Sequence, residues 1–175
     1  MISIPFIYKY KPKKLDDFEI DSDLKQLLVS LTYNNNLNIL FVGNSGVGKT
    51  SIIDALLHEY YGLKYSHENI LRINSLKEQG IQYYRNEVKT FCQTPCLVNG
   101  KKKCVVLDDI DFINEQSQQV FRNSIDKYSH NVNFISSCGN LQKVIDTLQS
   151  RKIIVSIKPH SHTNMKKVLN YIIKK

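Results

Sequence analysis

The sequence predicts an α/β fold, a parallel sheet of about five strands wrapped by helices. Three observations lead there. An apolar run, Ile39-Leu40-Phe41-Val42, feeds a glycine-rich turn, Gly43-Asn44-Ser45-Gly46-Val47-Gly48-Lys49-Thr50, and a helical pattern opens at Ser51. A second run, Cys104-Val105-Val106-Leu107, is apolar throughout and ends in Asp108-Asp109, and strands without polar alternation are usual in parallel sheets covered on both faces. Between and beyond these runs, short apolar segments alternate with helical stripes.

Taken in order, residues 5–18 are basic and aromatic with two prolines, Pro5 and Pro12, which argues against a helix and for an extended segment lying on a larger body. Residues 21–31 place Leu24, Leu27, Leu28 and Leu31 on one helical face, with Asp21 or Ser22 as cap, and Asn34-Asn35-Asn36 ends the element. After the glycine-rich turn, Ile52, Ile53, Leu56, Leu57 and Tyr60 form a buried helical stripe that Gly62 is placed to stop. Residues 70–73 read as a short strand, and the helix after Gly80 carries Ile81, Tyr84, Val88 and Phe91 on one side and Arg85 and Lys89 on another. Residues 95–103 read as a surface loop turning at Asn99-Gly100. Past the acidic strand end come a helix over 115–128 with Val120, Phe121 and Ile125 inward, a strand over 134–137, a helix over 141–148 and a strand over 153–157. Met165, Val168, Leu169, Ile172 and Ile173 then fall at helical spacing with lysines opposite, a stripe that must pack on something.

Composition narrows the class. A chain of 175 residues fits one domain with little room for a second. Its 24 Lys and Arg against 16 Asp and Glu give a formal charge of +8, which favours a polyanionic partner, although an ordinary basic surface reads the same way. Cys92, Cys96, Cys104 and Cys138 form no paired Cys-x-x-Cys sets and no secretory segment opens the chain, so a reducing intracellular compartment is expected. The first three cysteines lack a fourth ligand for zinc. No apolar run approaches the length of a bilayer span, which predicts a soluble protein with no membrane partner.

The glycine-rich turn carries the first candidate site. Glycines at its bends let backbone N–H groups face phosphate oxygens, Lys49 can neutralise β/γ charge, and the Thr50 hydroxyl can ligate Mg²⁺. The helix that follows adds its N-terminal dipole. Ligands of parallel sheets gather beyond the carboxyl ends of the strands, where the carboxylates of Asp108-Asp109-Ile110-Asp111 can reach a metal on the bound nucleotide. Both halves of a Mg–nucleotide site are therefore present, which defines a P-loop NTPase.

Other segments carry a closer resemblance. Tyr8-Lys9-Tyr10-Lys11-Pro12-Lys13-Lys14-Leu15-Asp16-Asp17 resembles the Glu-Lys-Tyr-Arg-Pro-x-x-Leu-x-Asp opening of clamp-loader small subunits, the replication factor C family of AAA+ ATPases. Ile73-Asn74-Ser75 resembles that family's Leu-Asn-Ala, and Gly80-Ile81-Gln82-Tyr83-Tyr84-Arg85-Asn86-Glu87-Val88-Lys89-Thr90-Phe91 its Gly-Ile-Asp-x-x-Arg-x-x-Ile-Lys-x-Phe helix. Residues 105–111 match its Walker B strand, residues 116–128 its Gln-x-Ala-Leu-Arg-Arg-x-x-Glu-x-Tyr helix, and Leu148-Gln149-Ser150-Arg151 its Leu-x-Ser-Arg-Cys box. The resemblance covers nearly the full chain. It implies an AAA+ three-layer sandwich over residues 1–160, the start of a cut-off helical lid over 161–175, and no collar domain.

For function, the resemblance implies ATP and Mg²⁺ as cofactors. Gly43, Asn44, Ser45, Gly46, Val47, Gly48, Lys49, Thr50 and Ser51 hold the phosphates, Thr50 and Asp108 hold the metal, and the stretch bearing Tyr8, Lys11 and Pro12 flanks the adenine. Arg151 corresponds to an arginine finger that acts in trans on a neighbour's nucleotide. Arg85 and Lys89 match positions that contact primer–template DNA phosphates, the bland alternative being a solvated basic face. The implied partners are other subunits of a hetero-oligomeric ring, a sliding clamp and DNA, in a nucleus or a viral replication site.

Departures from the pattern open a second reading. The catalytic Glu of the family is Asp109 here, one methylene shorter. Gly139 falls at the first sensor Asn, with Asn140 one place late, so either the loop shifts to present Asn140 or that contact to the γ-phosphate is lost. Gln79 stands where an Arg often contacts DNA, Lys11 replaces the opening Arg, and Lys152 replaces the Cys after Arg151. The leading expectation is an ATPase module of a clamp loader. The alternative is a catalytically weak structural paralogue that binds nucleotide and DNA and lends its arginine finger to a neighbour.

Overall fold

A computed structural model describes residues 5–74 and 81–173. Among these, β1 (Ile39–Val42), β2 (Ile70–Asn74), β3 (Lys103–Asp108), β4 (Val132–Cys138) and β5 (Ile153–Ser156) form one sheet in the order β2-β3-β4-β1-β5, with every pairing parallel. The helices are α1 (Phe6–Lys9), α2 (Ser22–Tyr33), α3 (Lys49–Tyr61), α4 (Ile81–Gln93), α5 (Glu115–Tyr128), α6 (Asp146–Gln149) and α7 (His162–Ile173). Ser75, Gln79 and Gly80, three positions used in the motif reading, lie outside the described residues.

Successive side chains of a strand point to opposite faces, and here both faces are covered. Ile39 and Phe41 of β1, Cys104 and Val106 of β3 and Ile135 of β4 meet Leu28 of α2 and Ile53, Leu56 and Leu57 of α3. Leu40, Val105, Leu107 and Phe134 meet Tyr84 and Val88 of α4 and Phe121 and Ile125 of α5 in a second core. Two buried faces explain why the strands read as unbroken apolar runs. Phe41, Phe121 and Phe134 are fully buried, each worth about 1.5–3 kcal/mol over an exposed position. From β1 the chain crosses to β2 at one edge and finally returns to β5 on the other side of β1. The carboxyl end of β1 is thus a topological switch point, where open α/β sheets leave a crevice for ligands.

Four expectations change. Residues 5–18 are not extended throughout, because α1 forms between the two prolines and Leu15–Asp17 forms a 3-10 turn. Pro5 occupies the N-cap, where its missing N–H costs nothing, and Pro12 lies past the last turn. On α2, Leu28 and Leu31 are buried but Leu27 is 40% exposed, and Thr32 takes the inward place with its hydroxyl donating to Val29 O at 2.6 Å. The expected helix over 141–148 is a 3-10 turn, Leu141–Lys143, followed by α6. Val144 and Ile145 are extended between them, since Gln118 Oε1 takes Ile145 N–H at 2.9 Å and Gln149 Nε2 donates to Val144 O at 2.7 Å. On α7, Met165, Val168, Leu169 and Ile173 stay exposed, so the stripe expected to pack has no cover among the described residues.

Candidate nucleotide site

β1 hands the chain to Gly43 under tight constraint. Gly43 N–H donates to Cys138 O at 3.2 Å, Ile157 N–H donates to Val42 O at 2.7 Å, and a Cβ on Gly43 would lie 2.6 Å from Ile157 O. Gly48, at φ +94°, stands directly before α3, and Gly46 is at φ +80°. Alternating left-handed and helical backbone is the nest geometry that turns successive N–H groups to one side. Lys49 is only 8% exposed and folds back over its own loop, Nζ donating to Gly43 O at 2.7 Å and Asn44 O at 3.1 Å. Asn44, Ser45 and Thr50 are exposed, Ser51 is half-buried, and Val47 turns its side chain into the core. Only the backbone of Val47 therefore faces a ligand in the loop. The helix opens at Lys49, two residues before its expected start.

Two strands away, with β4 between, β3 ends in acid. Ser137 Oγ donates to Asp108 Oδ1 at 3.0 Å and accepts Asp109 N–H at 3.0 Å. Burial pushes the Asp108 carboxyl above its ordinary pKa, the Ser137 hydrogen bond opposes that, and neighbouring Asp109 adds to it. Asp108 shares its strand face with Cys104 and Val106, the face packed against α3. A hydroxyl and a carboxylate are the hard oxygen donors that Mg²⁺ takes, and a desolvated anion such as Asp108 gains most from a cation beside it. This donor set fits Mg²⁺.

Asp109 sits in the left-handed region at φ 54°, ψ 51°, an uncommon place for a residue with a Cβ, and starts the 3-10 turn Ile110–Phe112. Asp111 Oδ2 accepts the N–H groups of Gly139 at 3.2 Å and Asn140 at 3.0 Å. Asn140 Oδ1 in turn accepts Gln142 N–H at 2.9 Å, capping the turn after β4.

Three features escaped the sequence reading. Ser137 is one, since a serine inside a strand carries no signal of what lies opposite. Gln118 is another: it is 1% exposed, and its Nε2 donates to Ile113 O at 3.0 Å and Lys143 O at 2.9 Å while Oε1 holds Ile145 N–H. The third is Asp54, which accepts Lys11 Nζ at 2.5 Å and pairs with the Arg72 guanidinium. A charged residue four places after Thr50, on a helix otherwise read for its apolar stripe, was the available clue. Lys11, expected beside a base, spends its ammonium here; Tyr8 lies in α1 and Pro12 just beyond it.

The remaining candidates lie apart. Arg151 is held within its own chain, Nε and Nη2 gripping both oxygens of Asp126 at 2.5 and 3.1 Å and Nη1 donating to Thr147 O at 2.6 Å. Arg85 and Lys89 are exposed on α4 and line a groove of about 170 Å³ with Asn123, Lys127 and Tyr128 of α5. Among the described residues no group of three or more His, Cys, Asp or Glu is arranged to hold a metal, and no helix is long and apolar enough to cross a membrane.

Known proteins resemble the chain in both sequence and fold. Residues 39–158 match the ATPase family associated with various cellular activities (AAA). The probable replication factor C subunit 5 of Dictyostelium discoideum is 36% identical over 152 residues, covering 85% of this chain and 44% of its own. The replication factor C small subunit of Saccharolobus solfataricus is 35% identical over 167 residues, 95% of this chain and 50% of its own. The chain therefore spans about half the length of the curated relatives it matches. Among solved structures, a Thermotoga maritima RuvB variant superposes with a TM-score of 0.74 at 16% identity, over 94% of this chain and 54% of that one. AMPPCP-bound DnaA from Aquifex aeolicus gives 0.63 at 21% identity, over 93% and 55%. At such identities the structural likeness concerns the fold alone.

Proposed function

The chain belongs to the ATPase family associated with various cellular activities (AAA), and on that premise we propose that it is the ATP-binding and ATP-hydrolysing module of a DNA sliding-clamp loader, of the replication factor C small-subunit kind. The observation that carries the reading is the pairing of the Gly43–Thr50 nest with the buried, Ser137-braced carboxylate of Asp108 at one end of a single sheet. The names of the curated relatives supply the clamp-loader setting.

In this reading the nest binds the ATP phosphates, and the Lys49 ammonium moves from the carbonyls of Gly43 and Asn44 onto the β/γ oxygens. Thr50 and Asp108 would hold Mg²⁺, which would neutralise phosphate charge. Asp109 takes the proton of the attacking water, and Asn140 faces the γ-phosphate through its amide nitrogen, because its oxygen is spent on Gln142. The strap bearing Tyr8, Lys11 and Pro12 borders the base. Arg151 leaves Asp126 to stabilise charge on a neighbour's transferring phosphoryl group. Arg85 and Lys89 contact DNA phosphates, other ring subunits and a sliding clamp are the protein partners, and α7 begins a helical lid. The setting is intracellular, a nucleus or a viral replication site.

A second reading, a paralogue that binds nucleotide and lends Arg151 but turns over little ATP, draws on the left-handed backbone of Asp109, the shorter carboxylate at that place. ATP titration followed by turnover assays with primer–template DNA and partner subunits separates the two. Normal binding with no turnover in any combination would sink the hydrolytic reading. Lys49→Ala abolishes nucleotide binding in both. Arg151→Ala spares binding and lowers turnover at the neighbouring site; a fall in the turnover of the isolated chain would refute the trans role.

A further inference from the structure

Asp54 lies one helical turn beyond Thr50 on α3, and its side chain is 16% exposed. Each of its oxygens serves a different element: Oδ2 holds Lys11, 43 residues away, and Oδ1 holds Arg72 of β2, 18 residues away. Arg72 lies opposite Val106 on β3, and two positions further along the same pairing Asn74 lies opposite Asp108. One carboxylate thus joins the phosphate-side helix, the strand beside the candidate metal ligand, and the amino-terminal segment.

That segment has a second anchor nearby. Leu15 is 1% exposed in the core shared with α3, and its turn is closed by Asp17 Oδ2, which accepts Lys13 N–H and Lys14 N–H at 3.0 Å each. Residues 11–17 therefore form a short strap pinned at Leu15 by burial, at Asp16 by an ion pair with Lys25 of α2 and at Lys11 by its pair with Asp54 of α3. Leu15 is held by burial in the core, whereas Lys11 is held to α3 by its contact with Asp54.

Resting on the reading of residues 43–50 as an ATP cradle, we propose that Asp54 is a positioning residue that clips this strap to the phosphate-binding helix, so that the base side and the phosphate side of the pocket bind as one unit. Charge separates this role from general support of the cradle. Asp54 places a negative charge one turn from where phosphates bind, and Lys11 and Arg72 offset it. Replacing the carboxylate by an amide releases Lys11 from α3 and removes a negative charge beside the phosphate-binding helix, so affinity for phosphates alone does not fall.

The experiment is calorimetric titration of the full 175-residue chain with ATP and with inorganic tripolyphosphate, which has the phosphates and no base. Asp54→Asn weakens ATP by about 3- to 10-fold and leaves tripolyphosphate equal or tighter. Lys11→Met, at a side chain that is 45% exposed, weakens ATP by a similar factor, and the double variant is no weaker than Asp54→Asn alone. Equal weakening of both ligands by Asp54→Asn, unchanged ATP affinity in the single variants, or single effects that multiply in the double variant would each overturn the clip. If Asp54→Asn does not fold, Lys11→Met decides alone by whether ATP loses more affinity than tripolyphosphate. Lys49→Ala keeps the two levels apart: retained ATP binding there refutes the cradle itself, whereas its loss together with a wild-type ATP-to-tripolyphosphate ratio in Asp54→Asn refutes only the clip.

Discussion

Lys152 carries its amino group into the interior, where it donates to Phe134 O at 2.6 Å and burial lowers its pKa from 10.5 to about 7. Between those two values the unfolded chain holds a proton that the folded chain releases, so stability rises with pH across that window. The buried thiols act in the opposite sense. Burial raises Cys92 and Cys104 from 9.0 to about 12, so above pH 9 the unfolded chain ionises first and stability falls. Denaturant unfolding of the wild type is therefore expected to show stability climbing from about pH 7 to 9 and declining beyond, with the climb absent in Lys152→Met. Gly43 offers a steric counterpart. With Ile157 O 2.6 Å from the place of a Cβ, Gly43→Ala has to part β1 from the start of the chain beyond β5. A cost of about 1–3 kcal/mol is expected, read as a lower midpoint in thermal unfolding.

Between elements, Gln118 is the joint. Its amide ties the turn after β3 to the loop before α6, and Gln118→Leu leaves backbone groups of Ile113, Lys143 and Ile145 without their partner. Destabilisation of about 2–4 kcal/mol is expected in urea titration. This joint also marks where sequence reasoning stops. The stripe of α3 was legible because Ile52, Ile53, Leu56, Leu57 and Tyr60 obey the helical period and are all buried. The strand ends were legible because apolar runs meet glycine or acid there, and with them the two halves of the candidate site. Residues 141–148 carry an equally helical pattern, yet side-chain amides of Gln118 and Gln149 take over the backbone groups and break the helix. Ion pairs such as Asp54 with Lys11 and Arg151 with Asp126 depend on distant segments meeting, which no local periodicity encodes.

For the molecule as a whole, part of the +8 charge lines a groove between α4 and α5, with Arg85, Lys89 and Lys127 along it. If it follows a phosphate backbone, Arg85→Ala and Lys89→Ala each weaken binding of primer–template DNA. Each also lowers the slope of log K against log salt by about 0.7–0.9. An unchanged slope in fluorescence anisotropy would return the groove to an ordinary solvated surface. The strand order has a consequence in time as well as in space. β1 is flanked by β4 and β5 on its two sides, whereas β2 and β5 are edges. Edge amides exchange with solvent through local fraying, whereas those of Phe41 and Val42 lie on a strand paired on both sides and exchange more slowly. In deuterated water the root of the phosphate loop is therefore expected to exchange with the slow amides of the inner strands β3, β4 and β1, and its rate reports the stability of the sheet at the place where the ligand would act.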